Sequence, residues 1–183
     1  MGVIWSSLRK TIGYTRPVRI LLVGLDNAGK TTLLYRLQHG TVLTTVPTIG
    51  FNFETFNRLN VEFDAFDVGG QTKIRQYWNC YYRHTDVVLF VVDGTDRDRL
   101  GVCREKLMEL ICDSQLKKAM IGILVNKQDI KGALSVAEAN EALDARLIRV
   151  QEWGAFETSA VSGDGLPELV EWIVARMKQR GVV

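Results

Sequence analysis

The chain has 183 residues, 23 basic against 21 acidic, for a net charge of +2, enough for one well-buried core and short for two domains. No polybasic tract, RNA-binding pattern or zinc-finger spacing is present, which argues against nucleic acid as a partner. Cys80, Cys103 and Cys112 are odd in number and form no CxxC pair, so neither a disulfide framework nor a zinc site is expected, and a reducing, cytoplasmic setting is.

The first residues, Met1-Gly2-Val3-Ile4-Trp5-Ser6, fit the MGxxx[ST] acylation signal, with Gly2 as the myristoylated residue once Met1 is removed. Ile4, Leu8 and Ile12 recur every four residues, Trp5 flanks them, and Arg9-Lys10 can face anionic lipid. Residues 1–16 are therefore expected to form an amphipathic membrane-anchor helix appended to a core domain of residues 17–183. The apolar stretch Val3 to Trp5 is cut short by Ser6-Ser7 and no basic region precedes it, unlike a signal peptide. The run Val87 to Val92 falls far below the roughly 20 residues a spanning helix needs.

Ile20 to Val23 reads as the first strand, buried on both faces. Directly after it, Gly24-Leu25-Asp26-Asn27-Ala28-Gly29-Lys30-Thr31 fits GxxxxGK[ST] and leads into a helical stretch. In that pattern backbone N–H groups wrap phosphates, Gly29 lets the chain approach closely, Lys30 neutralises the β/γ oxygens and Thr31 ligates Mg²⁺. Phe51 to Thr55 and Val61 to Ala65 alternate with period two around a polar turn at Asn57 to Asn60, which predicts a β-hairpin.

Asp67-Val68-Gly69-Gly70-Gln71 follows the second hairpin strand. Alone, Gly-Gly after a strand is an ordinary turn. Downstream of a phosphate loop it suits a γ-phosphate sensor: Asp67 holding Mg²⁺ through water, the Gly70 N–H bonding the γ-phosphate, and Gln71 orienting the attacking water as the catalytic residue.

Val87 to Val92 and Ile121 to Val125 are two further buried strands, and helix-period segments separate the strands. Alternation of strand and helix implies a mainly parallel sheet. Asn126-Lys127-Gln128-Asp129 closes the Ile121 strand, where an open α/β sheet binds ligands. The Asp129 carboxylate can accept both the N1–H and N2–H₂ donors of guanine, a pattern adenine cannot offer. Thr158-Ser159-Ala160, after a short strand near Phe156, supplies a second base-side loop with Ser159 and Ala160. A final helix is expected from Leu166, Leu169, Val170, Ile173 and Met177.

These motifs, in this order and over nearly the whole chain, resemble the small GTPases. The run Gly24 to Thr32, the segment Pro47-Thr48-Ile49-Gly50-Phe51-Asn52 and Asp67 to Gln71 are similar to ADP-ribosylation factors (Arf) and Arf-like proteins. Within that family, Cys80-Tyr81-Tyr82, Thr85-Asp86 and Asp96 to Gly101 are most similar to a Golgi-associated Arf-like member. The resemblance implies the P-loop NTPase (small G protein) fold: a mainly parallel six-stranded sheet with one antiparallel hairpin and helices on both faces. It further implies GTP or GDP as bound ligand with Mg²⁺, Thr48 joining Thr31 on the metal in the GTP form, and Thr32 and Thr45 among the nucleotide contacts.

Slow hydrolysis that awaits an activating protein, an exchange factor, and reversible attachment to a Golgi membrane surface follow from the same resemblance. So do Golgi effectors, golgin-type coiled coils among the candidates, and a two-residue slide of the hairpin that displaces the N-terminal helix when GTP binds. One departure stands out: the family has Trp where this chain has Phe66, a position that with Phe51 and Tyr81 forms an apolar patch read by partners. Two readings of another kind remain beside the switch, a P-loop metabolic kinase and a nucleotide-binding module that never hydrolyses. The first would need an acceptor site and a lid, for which the chain leaves few residues.

Overall fold

The computed structural model describes residues 16–46, 48–149 and 152–183. The expected N-terminal helix and Gly2 lie outside them. Within them the elements run β1 (Val18–Gly24), α1 (Lys30–His39), β2 (Phe51–Arg58), β3 (Val61–Val68), α2 (Thr72–Arg75), β4 (Val87–Asp93), α3 (Leu100–Cys112), β5 (Met120–Asn126), α4 (Val136–Ala142), β6 (Trp153–Glu157) and α5 (Leu166–Gln179). They build one six-stranded sheet in the order β2-β3-β1-β4-β5-β6. Only β2 and β3 pair antiparallel, while β1 pairs parallel with β3 and β4, β4 with β5, and β5 with β6.

The apolar runs become the central strands because both faces of the sheet are covered. Every residue of β4 and of β5 is buried. Successive side chains of a strand point to opposite faces, and two core clusters follow from that. Ile20, Leu22, Leu89 and Val91 pack with Leu33, Leu34 and Leu37 of α1 and Leu169, Ile173 and Met177 of α5. Leu21, Val23, Val88 and Phe90 pack on the other face with Cys103, Leu107 and Leu110 of α3. Each such Leu, Ile or Phe side chain contributes about 1.5–3 kcal/mol when fully buried, so the two layers together hold the centre of the sheet in place.

The hairpin turn is tighter than the sequence suggests. Pairing continues to Arg58 opposite Val61, leaving Leu59 and Asn60 as a two-residue turn with φ of 49° and 60°. Two positive φ values are what a type I′ turn requires to match strand twist; Asn60 tolerates this, while Leu59 is unusual there. The helix α4 opens with a capping box that the sequence reading passed over: Ser135 accepts from the Glu138 N–H, and Glu138 accepts back from Ser135.

The parallel strands all end at one edge. Register brings Leu22 beside Asp67, Gly24 beside Val91, Asp93 beside Asn126 and Val125 beside Glu157. The chain leaves β1 for one side of the sheet and returns on the other through β4, so the loop after β1 sits at a topological switch point.

Candidate nucleotide site

The loop from Gly24 to Gly29 wraps the end of β1 and hands the chain to α1. Gly29, the residue before α1, has φ 89°, and a side chain there would start 2.4 Å from the Asn126 amide nitrogen. No other residue type fits. Lys30 lies buried across the loop, its Nζ donating to the carbonyls of Gly24 at 3.1 Å and Leu25 at 2.8 Å. Burial pushes its ammonium down to about 8, against the opposing pull of Asp67 and Asp26. A polyphosphate beside Lys30 would supply the anions this charge lacks.

At the first turn of α1, three oxygens converge. Thr31 Oγ1 donates to Asp67 Oδ2 at 2.6 Å, lies 2.9 Å from Thr48 Oγ1, and Thr48 Oγ1 reaches the same carboxylate oxygen at 3.3 Å. Asp67 is fully buried, and its Oδ1 makes no hydrogen bond. Burial raises its carboxyl above the usual range, outweighing the Thr31 bond and the Lys30 charge. Two hydroxyls around a desolvated carboxylate with an orphaned oxygen fit Mg²⁺, a hard cation that prefers oxygen and keeps waters and phosphates among its ligands. Among the described residues no cluster of three or more His, Cys, Asp or Glu could hold a metal without such help.

The base-side loops are tied to the phosphate loop by Asn126. Its Nδ2 donates to the Ala28 carbonyl at 2.8 Å, while its Oδ1 accepts from the Ala160 N–H at 3.0 Å and the Thr158 hydroxyl at 3.4 Å. With that much of the amide engaged by protein, Asn126 serves as the brace of the site, and one N–H is left for a ligand. Lys127 sits at φ 69° with Nζ 2.6 Å from Asp93 Oδ2. Burial raises the Asp93 carboxyl, but the bonds from Lys127 and Thr95 outweigh it and hold it below the usual range. Exposed Asp129 accepts from Ser159 Oγ at 2.6 Å.

Gly70 presses the segment after β3 onto the phosphate loop. Its carbonyl accepts from the Asp26 N–H at 3.1 Å, and a side chain on it would start 2.4 Å from Asp26 N. Gly69 is held from two sides, by the Trp78 indole N–H on its carbonyl at 3.0 Å and by its own N–H on the Gly50 carbonyl at 2.9 Å. Exposed Gln71 then faces a cavity of about 360 Å³ shared with Asp26, Asn27, Gly29, Lys30, Thr31, Thr32, Thr45, Thr48 and Lys127. Thr32 and Thr45 face each other across it, with hydroxyls 3.3 Å apart. The structure thus brings together every expected phosphate-side and metal-side residue. Of the base-side residues, Asp129 is exposed while Ser159 and Ala160 are buried.

The family model described as "ADP-ribosylation factor family" matches residues 4–177. The chain belongs to the Arf family. It is 46% identical over 178 residues to ADP-ribosylation factor 3 of Arabidopsis thaliana, covering 97% of this chain and 98% of that protein. It is also 46% identical over 180 residues to ADP-ribosylation factor-like protein 1 of Caenorhabditis elegans, covering 98% and 99%. A solved structure of the Arl6 BBS3 small GTPase from Trypanosoma brucei with bound nucleotide analogue GppNp superposes with a TM-score of 0.84 at 30% identity, covering 90% of this chain and 99% of that one. As an Arf-family small GTPase the protein is a guanine-nucleotide switch and a GTP hydrolase.

The expected apolar residues also meet. Phe51 lies 5.2 Å from Tyr81 and 6.5 Å from Phe66, ring centre to ring centre, and Phe66 lies 6.5 Å from Tyr81. Phe53, absent from the sequence expectation, is nearer still to Phe66 at 4.7 Å. Its alternation with Phe51 along β2 was the available signal. Beneath them the Arg19 guanidinium stacks 3.9 Å from the Phe66 ring centre, a cation–π contact that holds this ring in place. Asp93, Arg75 and Arg99 were also missed. Of these, only Asp93, at the end of a buried strand, carried a positional hint.

Proposed function

We propose that this protein is a membrane-recruited Arf switch in which the GTP form gathers Thr48 and Asp67 onto Thr31 around Mg²⁺. The convergence of those three side chains within 2.6–3.3 Å carries the reading, since it joins the phosphate loop, the segment before β2 and the end of β3 at one point. In this reading Gly24 to Thr32 and Thr45 hold the phosphates, and Asn126, Lys127, Asp129, Ser159 and Ala160 enclose the base. Gln71 positions the attacking water, and an activating protein supplies what the open site lacks, typically an arginine.

Phe51, Phe66 and Tyr81 form the surface read by effectors, with Phe51 half exposed at 50%. Recruitment depends on the N-terminal residues. A myristoyl chain at Gly2 binds membrane only marginally, with a constant near 10⁴ M⁻¹, so a second signal is required; Ile4, Trp5 and Leu8 supply it when free. In the GDP form those side chains dock on the core instead. A cavity of about 370 Å³ between the hairpin tip at Arg58 and Leu59, Leu37 of α1, and Leu166, Pro167 and Val170 of α5 favours this, because a sliding hairpin changes its shape. In this reading the membrane is that of the Golgi, and the partners are an exchange factor, an activator and coiled-coil effectors.

Flotation of the acylated protein with liposomes tests the coupling. The form loaded with a non-hydrolysable GTP analogue should float far more than the GDP form, and Gly2→Ala should abolish the difference. By linkage, membrane should in turn favour GTP. Equal flotation of the two forms would show a constitutive anchor.

A further inference from the structure

Asp26 stands in the phosphate loop at the mouth of the cavity, a carboxylate where an anionic ligand is to bind. Two arginines from different parts of the fold hold it. Arg99 Nη1 lies 3.1 Å from Asp26 Oδ1, and its Nη2 donates to the Asp26 carbonyl at 3.2 Å. Arg99 is itself fixed to the frame by Asp96, which accepts from its Nε at 2.6 Å and from its backbone N–H at 3.3 Å. Arg75 comes from the opposite direction, out of α2. Its Nη2 lies 3.0 Å from the same Asp26 Oδ1, and its Nε donates to the Gly70 carbonyl at 2.7 Å. Its side chain is only 9% exposed.

The two arginines therefore differ in kind. Arg99 joins Asp26 to a turn that leads directly into α3. Arg75 joins Asp26 to the very segment, Gly70 and Gln71, whose approach to the phosphates completes the site. The planar guanidinium presents two N–H donors in a fixed fork, one to each acceptor, a geometry that the point charge of an ammonium does not impose. If Gly70 withdraws, α2 withdraws with it, and Arg75, carried along with Gly70, loses Asp26. Asp26 is then left with Arg99 alone and carries more uncompensated charge toward the nucleotide.

We propose that Arg75 is a positioning residue for GTP hydrolysis: a latch that closes the Gly70–Gln71 segment onto the phosphate loop through Asp26, formed in the GTP arrangement and released in the GDP arrangement. Arg99 is the standing counter-ion of the same carboxylate in both. This rests on reading Gly70 and Gln71 as the γ-phosphate-facing segment. Burial pushes the Asp26 carboxyl up, but Arg99 and Arg75 outweigh it and hold it below the usual range in the latched arrangement.

The test compares dissociation of a non-hydrolysable GTP analogue and of GDP from the full-length protein, together with single-turnover hydrolysis. Arg75→Ala should speed release of the analogue by about tenfold, the scale of a lost charge-assisted bond, slow hydrolysis, and leave GDP release within about twofold. Arg75→Lys, which keeps the charge but breaks the fork, should fall between it and the wild type. In an Asp26→Ala background the Arg75→Ala effect should shrink, because the partner is already gone. Arg99→Ala should loosen both nucleotides.

An equal effect of Arg75→Ala on both nucleotides, or an undiminished effect in the Asp26→Ala background, overturns the latch. So does Arg99→Ala reproducing the GTP-selective pattern, which would make the arginines one undifferentiated clamp. If Arg75→Ala is silent while Thr31→Asn still weakens Mg²⁺–GTP binding, the latch falls and the site reading stands. If the wild type fails to prefer GTP over ATP, both fall together.

Discussion

Ser159 aims the carboxylate of Asp129 by donating to its Oδ1 at 2.6 Å. Ser159 Oγ in turn accepts from the backbone N–H groups of Val161 and Ser162 at 3.2 and 3.0 Å, so an otherwise exposed acid is held from behind. Its second oxygen is left to meet the donors of guanine. Two charge-assisted bonds of about 1.5–3 kcal/mol each make Asp129→Ala cost roughly 10²–10⁴ in GTP affinity, with little change for ATP. Asp129→Asn should instead shift preference toward xanthine, which offers one donor and one acceptor at the same edge. Competition binding with GTP, ATP and XTP reads all three, and a wild type that accepts ATP as readily as GTP would refute the assignment.

Local pattern carried the strands, the phosphate loop and the hairpin into the sequence reading, because each depends on residues adjacent in the chain. The period-two alternation of β2 and β3 and the apolar run of β4 announce their surroundings directly. What local pattern could not show is how distant side chains meet. Lys127 is pinned by Asp93, 34 positions away, and Asp26 by Arg99, 73 positions away. No short window contains both members of either pair. Asn126 illustrates a subtler gap: its position at the ligand edge is readable, but its service as a brace between Ala28, Thr158 and Ala160 appears only when three loops are folded together.

Removing one hydroxyl from the metal corner should separate the two nucleotide states. Thr48 precedes β2 and meets Asp67 only through the long contact at 3.3 Å, whereas Thr31 sits on α1 and donates to it at 2.6 Å. Thr48→Ala should therefore weaken Mg²⁺ in the GTP complex and leave the GDP complex nearly unchanged. Thr31→Asn should weaken both and leave the buried Asp67 without its closest donor. Mg²⁺ titrations of nucleotide release, with chelator as the zero point, distinguish the cases. Equal sensitivity of both complexes to Thr48→Ala would remove Thr48 from the switch.

Lys30 links nucleotide binding to protons. Its folded value without ligand is about 8, against about 10.4 for a free lysine, and phosphates beside it should raise it again. Between those values the bound form holds a proton that the free form has lost. Affinity should be flat below about pH 8 and fall by up to about tenfold per pH unit above it. The same sign makes the nucleotide-free protein gain stability as pH rises through this window, because the unfolded chain then binds more protons than the folded one. Calorimetry at pH 9 in buffers of different ionisation heat should show proton uptake on GDP binding, absent at pH 7. No uptake at pH 9 would place the Lys30 charge elsewhere in the balance.

The pairing of the hairpin would let it slide as one piece. β3 is paired over its whole length with β2, from Val61–Arg58 to Val68–Phe51, but with β1 only from Phe63 to Asp67. Phe56 and Phe63 stack at 5.3 Å across the hairpin itself, so part of its apolar packing would travel with it. Its links to α1 include polar contacts that can be exchanged for water: Gln38 Nε2 to Glu54 at 2.8 Å, Asn52 to the Tyr35 hydroxyl at 3.3 Å, and Arg58 to the Gln38 carbonyl at 3.2 Å. A slide by two residues, about 6.6 Å at 3.3 Å per residue, keeps every side chain on its own face. A slide by one would drive Glu62 and Asp64 into the core. An even slide also carries Asp67 away from Leu22 and out of reach of Thr31, which would dismantle the metal corner of the GTP form while sparing the sheet. Hydrogen exchange should therefore differ between GDP and GTP-analogue forms at the amides joining β1 to β3, while amides bonded within the hairpin stay protected in both. Identical protection across the β1–β3 seam would rule out the slide, and loss of protection inside the hairpin as well would mean that the segment melts instead of sliding.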